Sequence, residues 1–224
     1  MKSLRRIFNG LAVVLVPVIL VLVAVRILLS PLFIQIEYRL PGFPPDTYGF
    51  TFEDRLYWGN ISRAYLLNSE GIEYLADQNL DANTPLYNQR ELQHMLDVKV
   101  VVRGAMWVLG ISVLLEVVIW YFNRRSKEFG AYRLALSRGG WLTTLLIVSI
   151  LVYLALNFNS LFTNFHLIFF EGDSWLFQFS DTLIRLFPVQ FWRDAFIWIA
   201  VMSLAGGISL GYFCGKPRPR PDQM

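Results

Sequence analysis

Four stretches of this chain are apolar for long enough to cross a bilayer: residues 7–29, 100–122, 141–156 and 192–213. A hydrocarbon core about 30 Å thick, crossed at about 1.5 Å per residue, needs about 20 mostly apolar residues in a row. The third stretch is the shortest and extends weakly through Asn157-Phe158-Asn159. The first carries Pro17 and a late Arg26 and lacks the small-residue cleavage site of a removable signal peptide, so it is expected to persist as an anchor.

The segments between the spans have patterns of their own. Segment 30–99 opens with Pro31 and an aliphatic and aromatic run, 32–40, which reads as an extended piece before a turn at Pro41-Gly42-Phe43-Pro44-Pro45. Thr51-Phe52-Glu53-Asp54 reads as a capping box that opens a helix to about Leu67, and a short helix is expected over about 70–78. Asn88-Gln89-Arg90-Glu91 is a second N-cap pattern, and nothing stronger than Gly104 and Gly110 interrupts a helix from there to Phe122. Such a helix would be about 50 Å long, leaving its first turns, with His94 and Asp97, above the hydrocarbon. In segment 159–191, Gln178, Asp181 and Arg185 recur at helical spacing among Trp175, Leu176, Phe179, Leu183 and Leu186. That spacing predicts an amphipathic helix over 174–187 lying in the interface, ended by Pro188. The expected fold is an all-α integral membrane protein: one membrane domain over 1–224, four transmembrane helices, a mainly helical extracytoplasmic cap and an interfacial amphipathic helix.

Composition agrees, with 55% hydrophobic residues, 16% aromatic residues and a mean hydropathy of +0.44. Charge adds an orientation. Lys2, Arg5 and Arg6 precede the first span, Arg124, Arg125, Lys127, Arg133 and Arg138 fill the expected loop 123–140, and Lys216, Arg218 and Arg220 close the chain. Segments 30–99 and 159–191 lean acidic. The positive-inside rule therefore puts both termini and the 123–140 loop in the cytoplasm and the two long segments outside. The net charge of +3 is a topology signal of this kind, and no basic fold motif points to nucleic acid. The tail Lys216-Pro217-Arg218-Pro219-Arg220-Pro221 reads as a short basic polyproline-type end. The single cysteine, Cys214, rules out an internal disulfide.

The only two histidines, His94 and His166, both fall in or beside the outer segments. Each could simply be a packed, hydrogen-bonded interfacial imidazole. Against that plain reading, Glu91 and Asp97 lie three residues either side of His94 and can share its helix face. A carboxylate there can fix the imidazole tautomer, as a general base requires. His166 sits in the aromatic run Phe165-His166-Leu167-Ile168-Phe169-Phe170, a water-poor setting suited to acyl chemistry on a lipid. His94, His166, Asp97, Glu171 and Asp173 could in principle hold a metal, but no HExxH-type spacing supports one. No GxSxG elbow, phosphate loop or dinucleotide fingerprint appears. Arg26 and Arg103 can snorkel from the outer ends of their spans, whereas Glu116 lies deeper with no evident partner, and Trp175 and Trp192 read as interface anchors.

At Glu91-Leu92-Gln93-His94-Met95-Leu96-Asp97-Val98-Lys99, at Phe165 to Phe170, and at Asp181 to Phe187-Pro188 followed by Phe191-Trp192, the sequence resembles the bacterial lipoprotein intramolecular transacylase (Lit) family over nearly its whole length. The resemblance implies a cofactor-free acyltransferase in the bacterial cell membrane. Its substrate would be a diacylated lipoprotein, with membrane lipid around it. The sn-2 acyl chain would move to the α-amine of the same N-terminal cysteine and leave a lyso-form product. It also implies His94 and His166 as the catalytic pair. Asp97 is expected to orient His94, with Asp173, Asp181 and Arg185 in supporting or substrate-binding roles and Arg185 a possible oxyanion donor. Which histidine is the base stays open. Two other readings of the same residues are a metal-dependent membrane lipid hydrolase and a non-catalytic membrane scaffold or accessory subunit.

Overall fold

A computed structural model describes residues 2–125 and 129–216; Lys127 and the Pro217–Pro221 tail lie outside the described residues. Among the described residues the elements run α1 Lys2–Leu28, α2 Pro31–Glu37, α3 Phe52–Leu67, α4 Glu73–Ala76, β1 Asn79–Asp81, β2 Thr84–Pro85, α5 Gln89–Arg124, α6 Phe129–Leu156, α7 Phe158–Phe169, α8 Thr182–Leu186 and α9 Val189–Gly215. Four of these helices, α1, α5, α6 and α9, are long and apolar enough to cross a membrane. The 36-residue α5 is continuous from the Asn88 cap, as its uninterrupted pattern predicts.

Two capping boxes set the helix starts that the sequence marks. Thr51 Oγ1 accepts from the Asp54 backbone N–H while Asp54 accepts from that of Thr51, opening α3. Asn88 Oδ1 accepts from Glu91 N–H at 3.0 Å and Glu91 Oε2 accepts from Asn88 N–H at 2.8 Å, opening α5. Each arrangement satisfies donors that a helix N-terminus otherwise leaves bare.

Three expectations need correction. The run 32–40, read as extended, instead gives its first part to α2: Pro31 occupies the first turn, where its missing N–H costs nothing, and Phe33, Ile34 and Glu37 are buried together on one helical side. The expected loop 123–140 is much shorter, because α6 begins at Phe129 and carries Arg133 and Arg138 within it. The amphipathic helix over 174–187 shrinks to α8, and the longer helix of that segment is α7, capped by the Asn157 side chain on Ser160 N–H. The polar groups of 174–183 are drawn into a local side-chain turn and into long-range bonds in place of helical ones. Gln178 N–H donates to Asp181, Thr182 Oγ1 donates to the Leu86 carbonyl, and Leu183 N–H donates to Glu91.

The chain divides into two compact units whose boundaries fall within the four long helices: 1–24, 108–152 and 198–224 form one, 25–107 and 153–197 the other. In the first unit, Ala12 and Leu15 of α1 pack with Ile119 of α5 and Tyr132 and Ala135 of α6. Small residues let α6 and α9 approach closely. A Cβ on Gly140 would lie 2.4 Å from the Gly207 carbonyl oxygen, and Ser137 Oγ donates to the Gly211 carbonyl at 2.7 Å. Glu116 has a partner after all, accepting from Tyr132 Oη at 2.7 Å.

In the second unit, Tyr65, Leu75, Leu86, Tyr87, Leu92, Met95, Leu183 and Leu186 make one apolar core, and Phe33, Ile34, Tyr38, Phe191 and Ala195 a second. The Tyr38 hydroxyl donates to the Leu186 carbonyl at 2.7 Å. Arg103 Nη2 donates to the Asn68 carbonyl at 3.1 Å. These contacts tie both connecting segments to the first turns of α5, which is where His94 sits.

Candidate active site

His94 lies about one and a half helical turns into α5, and His166 near the end of α7. Both are buried, at 9% and 7% exposure. Their rings stack at 6.0 Å between centroids with planes 19° apart. An aromatic shell closes on them. Phe170 and Phe177 meet His94 edge-on at 5.0 and 5.3 Å, Trp175 lies against His166 at 4.7 Å, and Phe162 and Phe165 also touch His166, at 4.2 and 5.6 Å. Gly172, with φ of 70° in the left-handed region, sits in the turn after α7, just ahead of Trp175 and Phe177.

The His166 ring has a defined tautomer. Its Nδ1 is 2.7 Å from the Phe162 carbonyl oxygen, which can only accept, so Nδ1 carries the proton and Nε2 the lone pair. Burial pushes the His166 pKa below the ordinary histidine value, outweighing the Phe162 carbonyl, which favours the charged form. The imidazole is therefore neutral around pH 7, as a proton acceptor must be. His94 Nδ1 is buried with no hydrogen-bond partner.

The carboxylates expected around His94 turn elsewhere. Glu91 is 1% exposed and bonds the Asn88 and Leu183 backbone N–H groups, the latter at 2.6 Å. It fastens the start of α5 to α8. Asp97, half-buried, accepts from Gln93 Nε2 at 2.9 Å and from Ser174 Oγ at a long 3.4 Å. Asp173 is exposed. Asp181 accepts from Gln178 N–H and from Asn88 Nδ2 at 3.1 Å, adding to the α5–α8 fastening. Arg185 forks onto Asp46 through Nε and Nη2, both at 3.1 Å, and its guanidinium lies 3.5 Å over the Phe50 ring. Burial alone would raise the Asp46 carboxyl, but Arg185 and the Phe50 and Tyr48 N–H groups outweigh it and hold Asp46 below the usual carboxylate range.

Among the predicted residues, then, the two histidines share one ring cluster, Asp97, Asp181 and Arg185 are bound into the scaffold around it, and Asp173 is exposed. Sequence reasoning missed Asp46 and read Trp175 as an interface anchor. In the structure Trp175 is folded back against His166, because Arg90 Nη1 donates to the Leu176 carbonyl at 2.9 Å and Ser174 reaches Asp97. The clue available in the sequence was the pairing of Gly172 with a dense aromatic run. Among the described residues no group of three or more His, Cys, Asp or Glu side chains is placed to hold a metal ion.

Removing the Glu91 carboxylate undoes a cap and leaves the Leu183 N–H without its acceptor. Glu91→Ala is expected to lower unfolding free energy by about 2–4 kcal/mol, and Glu91→Gln, which keeps one acceptor oxygen, by about half as much. Thermal unfolding of the purified variants in detergent measures both. Equal midpoints for wild type and Glu91→Ala would show that the fastening carries no load.

Known proteins resemble this chain in sequence and in fold. The family described as lipoprotein intramolecular transacylase Lit matches residues 10–192, a stretch that contains both histidines. An uncharacterized protein of Aquifex aeolicus (strain VF5) is 28% identical over 216 residues, 92% of each chain. The in meso structure of the membrane integral lipoprotein intramolecular transacylase Lit from Bacillus cereus superposes with a TM-score of 0.76 at 19% identity, over 94% of both chains. A variant of that protein with one histidine replaced by alanine superposes with a TM-score of 0.66, over 93% of this chain and 91% of the other. At 19% identity these two likenesses are likenesses of fold.

Proposed function

Because this chain belongs to the lipoprotein intramolecular transacylase family, a family of membrane-integral acyltransferases, we propose that it isomerises a diacylated lipoprotein. The sn-2 acyl chain of the S-diacylglyceryl group moves to the α-amine of the same N-terminal cysteine. The observation that carries this reading is the stacked, buried imidazole pair with a neutral His166 whose Nε2 is unprotonated.

Donor ester and acceptor amine sit on one molecule, so their effective concentration is high before the protein acts. What remains is orientation and proton movement. The amine nitrogen attacks the sn-2 carbonyl carbon, His166 Nε2 takes the proton the nitrogen sheds, and the carbonyl π electrons move onto oxygen. The intermediate collapses as the bond from that carbon to the sn-2 oxygen breaks and the imidazolium returns the proton to the departing alkoxide. Atoms balance, and product and substrate are isomers. His94, stacked on His166, is the second proton-handling or orienting group, and Asp97 supports the site through the Ser174 contact. The exposed apolar side chains Leu167, Ile168, Phe169 and Phe179 beside the site suit a substrate arriving from lipid. Arg5 and Arg6, Arg124 and Arg125, and Lys216 fall at the ends of α1, α5 and α9 that lie away from the site-bearing segments, which under the positive-inside rule supports a site on the outer face of the bacterial cell membrane.

The test uses purified protein and a synthetic diacylglyceryl lipopeptide, with the N-terminal acyl chain located by tandem mass spectrometry. N-acyl, S-monoacylglyceryl product from the wild type, formed about 10²-fold or more slowly by His94→Ala and by His166→Ala, supports the reading; undiminished product from both variants sinks it.

The pKa direction at His166 fixes a pH profile. A base with a lowered pKa stays competent throughout the neutral range and fails only as acid protonates it. Once kcat/KM is corrected for the fraction of substrate amine that is deprotonated, with a reference pKa of about 7.7–8.0, the remaining acid limb should lie below about pH 6.5. A corrected limb at or above that value would contradict a desolvated base.

A further inference from the structure

Trp175 presents an anomaly. Its Nε1 is screened from solvent and has no hydrogen-bond partner, although an indole N–H is a donor only and buried ones ordinarily find an acceptor. A buried donor left bare costs free energy, so its persistence calls for a compensating use. The ring that carries it is held by both neighbours in sequence: Ser174 Oγ reaches Asp97, and the Leu176 carbonyl accepts from Arg90, Asp97 and Arg90 both being on α5 within four residues of His94. It is also held against the His166 ring at 4.7 Å. A second bare polar atom, His94 Nδ1, belongs to the same cluster.

We propose that the Trp175 indole N–H is the donor that stabilises the oxyanion formed on the sn-2 carbonyl, a catalytic role that rests on the transacylase reading above. When the amine attacks, negative charge develops on an oxygen close to the base that receives the proton. A fixed donor already stripped of water meets that charge with little reorganisation. Arg185, the more obvious cation, is engaged with Asp46, so a neutral N–H in an aromatic wall takes the part. This also gives Asp97 and Arg90 a purpose: they position Trp175, and through it the oxyanion site, relative to His94.

The experiment compares purified full-length protein with Trp175→Phe and with a protein carrying benzothienylalanine at 175, which replaces the N–H by sulfur and keeps the ring shape. Against the diacylglyceryl lipopeptide, both should lose about 10²- to 10³-fold in kcat with KM changed less than about threefold and an unchanged thermal midpoint. A matched substrate with sulfur in place of the sn-2 carbonyl oxygen, a poorer hydrogen-bond acceptor, should react with a smaller wild-type advantage over both variants. If the benzothienyl protein retains kcat while His166→Ala is slowed about 10²-fold or more, the donor role is overturned and the transacylase reading stands. If the loss appears in KM and thermal midpoint together, Trp175 is packing only and the proposal is overturned. If the wild type makes no N-acyl product, both fail.

Discussion

Replacing His166 by Ala is expected to slow N-acylation by about 10²- to 10⁴-fold, the usual contribution of a positioned general base. The size of the effect follows from the surroundings. Phe162, Phe165, Phe170 and Trp175 wall off the imidazole, so water has poor access to substitute for it, and the Phe162 carbonyl pins Nδ1 so that only Nε2 faces a proton to be moved. The loss should fall on kcat, because the ring makes few contacts that a long acyl chain needs for binding. An active His166→Ala protein would require the proton to leave by a different route.

The second large effect concerns stability. Asp46→Ala should cost about 3–5 kcal/mol, because it strands the Arg185 guanidinium, whose side chain is 10% exposed, without its counter-charge. The Tyr48 and Phe50 N–H groups lose their acceptor at the same stroke. The double variant Asp46→Ala, Arg185→Met should recover part of the loss, since an apolar side chain of similar length leaves no buried charge. Thermal or denaturant unfolding in detergent reads this out. A single variant as stable as the wild type would mean that Arg185 finds water or another acceptor freely.

These two predictions also mark what the sequence discloses. The spans are legible because about 20 apolar residues in a row have few alternatives, and the starts of α3 and α5 because Thr51–Asp54 and Asn88–Glu91 carry their own local hydrogen-bond logic. The histidine pair is legible through its flanking motifs. Residues 174–187 mislead because Gln178, Asp181 and Arg185 have helical spacing for reasons that are not helical: Asp181 and Arg185 each answer a partner from far along the chain, Asn88 or Asp46. Asp46 itself gives no local signal, since its worth depends wholly on Arg185, 139 positions away. Glu91 shows the same divide. Its place beside His94 suggested a catalytic carboxylate; the cap pattern points to its bond with Asn88, and only the fold reveals that its other oxygen belongs to Leu183. Spacing on a helix states which groups can meet; which of them do meet is decided by segments the helix packs against.

The central claim is that an acyl chain moves within one molecule, and a crossover experiment tests it most directly. Two diacylglyceryl lipopeptides, one with a deuterated sn-2 chain and one with a distinguishable peptide and an unlabelled chain, are incubated together with the purified protein and fragmented in the mass spectrometer. The account predicts products of unchanged mass, the label now on the cysteine nitrogen of its own peptide. Label on the other peptide, or released as free fatty acid, would contradict it.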